Sequence, residues 1–160
     1  MNSIDFTKVV PASQLTGDDE EDTSLLKGIL GEAEEYILAQ QKWCPSIKNA
    51  YFGFGIGIVV AVFLFEIIPK SQNVDDYVWV IVGDLSPLYI TTEDAPNPAC
   101  ALNEYLGAME KWVDFALNGR IDEKCPPVEA EPTKEHGEML KQRIKFIDEE
   151  ILSAYQEDLR

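Results

Sequence analysis

Among the residues whose chemistry could define a site, Asp84 comes first. It follows Gly83 at the end of the hydrophobic run Tyr77 to Val82 and precedes Leu85-Ser86-Pro87. At such a strand-to-turn step a carboxylate either caps the turn by accepting backbone N–H groups, here those of Leu85, Ser86 or Leu88, or stands at the rim of a sheet-end cleft. Turn capping is the first expectation. The alternative groups Asp84 with Tyr89, Asp94 or Glu104 as ligand-binding residues, two carboxylates sharing a proton or holding a cation in the pocket of a small-ligand-binding protein or hydrolase.

The other candidates read as ordinary structure. His136, the single histidine, falls in the first turn of an acidic helix pattern and is expected at the surface. Cys44, Cys100 and Cys125 are far apart and lack a C-x-x-C pair, and no base lies close by in sequence, so neither a metal site nor an activated thiol is expected. Gly53-x-Gly55-x-Gly57 has the glycine density of a phosphate loop, but strand-forming apolar residues follow where a helix should open. The run Asp18-Asp19-Glu20-Glu21-Asp22 lacks the alternating ligands and turn glycine of a calcium loop. No catalytic residue, metal or cofactor is expected from these patterns.

Charge narrows the partners. The 160 residues hold 13 basic and 29 acidic side chains, a net charge of -16. The excess is spread along the chain, with no basic segment set against it, so direct binding to nucleic acid through phosphates is excluded as a working reading. Such a charge keeps a protein soluble and, where it has a function, steers a basic protein partner towards it. Three widely spaced cysteines do not form a disulfide framework and fit a reducing cytoplasm. Met1 to Thr16 shows no basic segment followed by an apolar one, as a signal peptide would. The uncharged stretch Ala50 to Phe65 raises the alternative of a membrane anchor through residues 50–68. Its 16 residues fall short of the roughly 20 a spanning helix needs, and its β-branched and aromatic content reads as a buried strand.

The elements that must position these residues follow from periodicity. Residues 1–22 read as a flexible acidic arm, in which Asp18, Asp19, Glu20, Glu21 and Asp22 are the candidate partner-binding residues, and residues 23–160 as a single domain. Thr23 or Ser24 is expected to cap a helix with the stripe Leu26, Ile29, Leu30, Ala33 and Ile37, ending near Trp43 because Pro45 follows. Residues 50–68 are expected to form one long strand paired antiparallel with 76–83, and Leu88 to Thr92 a short third strand. The alternating glycines of the long strand are expected to let a helix pack closely on one face. A second helix opens at Pro98, capped by Asn97 or Asp94, with Leu102, Tyr105, Leu106, Met109, Trp112, Val113 and Ala116 inward, and Asn118-Gly119 ends it. The last helix opens at Thr133 and buries Leu140, Ile144, Ile147, Ile151 and Tyr155. The expected fold is α+β, a small antiparallel β-meander of about three strands packed on three helices in two layers. Both long strands are apolar on two faces, so the sheet is expected either to be covered on both sides or to have one face in a homodimer, which would close any patch the helices leave open.

The stretch Trp79-Val80-Ile81-Val82-Gly83-Asp84-Leu85-Ser86-Pro87-Leu88-Tyr89-Ile90 resembles the W-x-I-x-G-D-L-P-x-x-Y-I signature of an uncharacterised bacterial domain family. Pro98, Ala101, Leu102 and Trp112, then Leu140 and Arg143, continue the resemblance over about residues 43–152. The chain departs from the pattern at two places: its proline stands at Pro87, and a His-Pro-Arg of the family is Asn97-Pro98-Ala99 here. No role for that histidine or arginine carries over, and the resemblance implies a fold without an activity. The functional expectation is a non-enzymatic, cytoplasmic, immunity- or adaptor-like protein that binds a protein partner through its acidic surface.

Overall fold

The computed structural model describes residues 4–17, 19–39, 46–56, 59–68, 76–93, 95–118 and 133–159; Asp18, Cys44, Gly57, Asp94 and Cys125 lie outside them. Among the described residues the strands are β1 (Val10–Pro11), β2 (Ser46–Ile56), β3 (Val60–Ile68), β4 (Tyr77–Gly83) and β5 (Leu88–Thr91). The helices are α1 (Glu20–Leu38), α2 (Pro98–Asn118) and α3 (Lys134–Glu150), followed by a 3-10 segment, Leu152–Leu159. The strands form one antiparallel sheet in the order β1-β2-β3-β4-β5.

The α+β architecture therefore rests on five strands, not about three. One added strand comes from the long apolar stretch, which is a hairpin instead of a single strand. Val59 N–H donates to the Ile56 carbonyl at 2.9 Å, turning the chain so that Phe65 pairs with Ala50 and Val60 with Ile56. β3 then pairs with β4 as expected for residues 76–83, from Glu66 opposite Tyr77 to Val60 opposite Gly83. The other added strand, β1, lies inside the expected arm. Its neighbours Val9 and Leu15 are buried, and the backbone N–H of Asp5 donates to Pro96 C=O at 2.8 Å. Apolar burial at two isolated positions overrides the polar composition of residues 1–22.

The expected two layers are also corrected, because helices cover both faces of the sheet. Leu26, Ile29, Ala33 and Ile37 of α1 pack with Phe52, Ala61, Phe63, Phe65, Val78 and Val80. On the opposite face α2 and α3 pack with Phe54, Val62, Leu64, Trp79 and Ile81. The face opposite α2 and α3 is covered by α1. Strands buried on both sides need apolar residues at every position, which is why β3 and β4 read as continuous runs.

β2 has 11 residues against nine in β3, and the difference is taken up by bulges at Lys48 and Gly53, which have no rung of their own. The second bulge breaks the alternation of the glycines. A Cβ at Gly53 would lie 2.7 Å from Pro98 of α2, whereas one at Gly55 would lie 2.8 Å from both Leu26 of α1 and Ala61. Close helix packing against the glycines is present, on two faces instead of one.

The helix ends follow local chemistry. Asp19, not Thr23 or Ser24, caps α1 by accepting from Asp22 N–H at 2.7 Å. Asn97 Oδ1 accepts from Cys100 N–H at 2.8 Å at the start of α2. Thr133 Oγ1 accepts from His136 N–H at 3.1 Å at the start of α3. No helix among the described residues is long and apolar enough to cross a membrane.

Candidate functional site

The site around Asp84 is built by a backbone constraint and a helix flank. Gly83 has φ of 149°, a conformation L side chains rarely adopt, and it lies against the backbone of Val59 and Val60. The N–H of Asp84 donates to Val59 C=O at 3.0 Å, which fixes the start of the β4–β5 turn. Further along, Ser86 C=O accepts from the Tyr105 hydroxyl at 2.7 Å. Burial pushes the Tyr105 phenol well above its ordinary value, so it remains a neutral donor. The turn is held without the Asp84 side chain.

That carboxylate instead meets α3. Asp84 Oδ2 lies 3.0 Å from an Arg143 guanidinium nitrogen. Met139, Arg143 and Phe146 are spaced four and three apart and share a flank of α3 beside the buried stripe Leu140, Ile144 and Ile147. Between this flank and the turn runs a cleft of about 640 Å³, floored by Trp112 and Leu140 and edged by Asp84, Leu85, Ser86, His136, Gln142 and the flank residues. The expected bonds from Leu85, Ser86 or Leu88 N–H to the Asp84 carboxylate are replaced by this ion pair. An apolar floor with a paired carboxylate and guanidinium at its mouth can hold an apolar group and exchange one ionic partner for another.

The other predicted ligand residues do not converge on Asp84. Tyr89 lies on β5 with its ring 6.5 Å from that of Tyr36 of α1, so it belongs to the α1 side of the sheet. Glu104 is exposed on α2 and edges a separate groove with Ile90, Lys111 and Asp148. Asp94 is outside the described residues. The residues that do converge, Arg143, Trp112, Met139 and Phe146, were missed as a site; the available signal was that Met139 and Phe146 are apolar yet off the buried stripe of α3.

The described residues of the acidic run are likewise not a free arm. Asp19 is the cap, and Glu20, Glu21 and Asp22 form the first turn of α1, where the helix dipole favours negative charge. With Glu32, Glu34 and Glu35 they give α1 and its cap seven carboxylates against the single Lys27.

A second polar cluster ties the chain together at the start of α2. The carbonyl of Asp158 accepts from Asn97 Nδ2 at 2.8 Å and from the Cys100 thiol at 3.3 Å, and its carboxylate pairs with Lys8 at 3.0 Å. Burial raises the Cys100 thiol above its ordinary value, which opposes thiolate chemistry. Among the described residues no group of three or more His, Cys, Asp or Glu is placed to hold a metal ion. No family model, curated protein or solved structure matches the chain.

Proposed function

We propose that the chain is a non-catalytic interaction protein that binds a basic protein partner through its acidic surface, in the manner of an immunity or adaptor protein, in a reducing cytoplasm. The observation that supports this reading is α1. Together with its cap Asp19 it lays seven carboxylates and one lysine along the outside of the sheet while its apolar stripe is used in the core. Such a one-sign surface accelerates encounter with an oppositely charged protein and loses that effect as salt screens it.

The test uses the immobilised full chain to isolate a partner, then measures association of the identified pair from about 50 to about 500 mM salt. A variant with Glu20, Glu21, Glu32, Glu34 and Glu35 changed to Gln is compared with the parent. The expected result is a slower on-rate and a flatter salt dependence for the variant at unchanged circular dichroism. Association independent of both salt and the substitutions overturns the reading.

A further inference from the structure

The cleft beside Asp84 lies on the α2/α3 side of the molecule, away from α1, and its surface composition is unlike the rest of α3. Met139 is 61% exposed and Phe146 45% exposed, although nothing in the packing of α3 requires apolar residues there. Seven residues of helix separate them by about 10 Å. They therefore form two walls of an open groove whose floor, Trp112 and Leu140, is apolar and largely buried. Small-molecule sites enclose most of their ligand. Walls this open leave a bound group half in water unless the ligand brings its own cover, as a segment of another protein does.

The charge at the mouth selects the segment. Asp84 keeps 38% of its side chain exposed while paired with Arg143, and the pair sits on a protein of net charge -16. An incoming cation is drawn by the field of the whole molecule and can replace the Arg143 guanidinium on Asp84. An incoming anion would have to displace Asp84 from Arg143 against that same field. We infer that this groove docks a peptide segment of a partner protein that carries an aromatic or large aliphatic side chain beside a lysine or arginine. The apolar side chain fills the space over Trp112 between Met139 and Phe146, and the basic side chain takes the place of Arg143 on Asp84. Arg143 is the internal stand-in for the partner's cation. The inference does not depend on α1, and removing the α1 carboxylates leaves the groove intact.

Met139 provides a reporter. The chain has three methionines; Met109 is buried and Met139 exposed, so the labelled methyl of Met139 can be followed by NMR and assigned by its loss in Met139→Leu. The probes are two capped peptide amides, identical except for a central tryptophan–lysine or tryptophan–glutamate pair, titrated into the full chain. The lysine probe is expected to shift the Met139 methyl saturably and to bind at least about fivefold more tightly than the glutamate probe. Asp84→Asn is expected to abolish that preference. Arg143→Gln is expected to strengthen binding of the lysine probe, a gain that a misfolded variant cannot produce. Absence of any shift, equal or tighter binding of the glutamate probe, or no gain in Arg143→Gln each overturns the inference.

Discussion

The ring of Phe54 stacks on that of Tyr155, with centroids 4.2 Å apart and planes 21° from parallel. This contact joins β2 to the C-terminal 3-10 segment at its kink, where Tyr155 has φ of -117° and ψ of 25°. Tyr155→Ala is expected to destabilise the protein by about 1 to 3 kcal/mol. In hydrogen exchange, the amides of residues 153–159 should lose protection before those of β3 and β4. Uniform loss across the molecule would show that the segment is not held mainly by this stack.

Gly83 and Gly55 are close-packed for different reasons. At Gly83 both the positive φ and a Cβ placed 2.8 Å from Val60 Cα oppose a side chain. Gly83→Ala should therefore cost more than about 2 kcal/mol. Gly55→Leu meets Leu26 and Ala61 without the backbone strain, and overpacking of about 1 to 3 kcal/mol is expected. A urea midpoint left unchanged by either substitution would contradict this assignment.

Alkaline pH should weaken the fold. Burial raises Cys100 above 9.0 and Tyr105 above 10.0. Tyr77 is also raised, by burial and then by the nearby Glu66 charge. In each case the folded state holds its proton more firmly than the unfolded chain. The associated stability is complete below the unfolded values and disappears as pH rises through the folded ones. Urea midpoints should be level from pH 7 to about 8.5 and fall above about 9.5, and Tyr105→Phe should flatten part of that fall. A midpoint that rises over this range would refute the sign.

Asp84→Asn should barely affect stability. The Asp84–Arg143 pair is solvent-exposed on both sides, and such pairs contribute about 0 to 1 kcal/mol. A melting temperature within about 3 °C of the parent is expected for a chain of this size. A larger drop would return Asp84 to the turn-capping role that its sequence position suggests.

What could be read before folding was the local chemistry. Leu140, Ile144, Ile147 and Ile151 are spaced by four, three and four, which leaves one arrangement on a helix, and Thr133 precedes them as a cap. Tyr77 to Gly83 is dense in strand formers with a glycine stop. The hairpin at Ile56–Val59 escaped notice because β2 and β3 carry apolar residues on both faces and no polar turn separates them. β1 has only two residues and no pattern to detect. The cleft was illegible for a different reason: Asp84 was visible at its turn, but nothing local in sequence links it to Arg143, and Trp112 looked like any other member of the α2 stripe.

The bulge at Gly53 bears on how this chain tolerates changes in length. Because Phe52 and Phe54 already occupy successive rungs opposite Phe63 and Val62, deleting Gly53 would splice two residues that point to opposite faces, as a regular strand requires. Every remaining side chain of β2 keeps its side of the sheet, and the loss is confined to the bend and the contact with Pro98. Deleting Ala61 from β3 instead would exchange inside faces for all residues on one side of the cut. The shortened β2 should fold with a lowered midpoint, whereas the shortened β3 should fail to give a cooperative transition. Insertions and deletions in relatives of this protein should therefore accumulate at the bulged positions of β2 and be absent from β3 and β4.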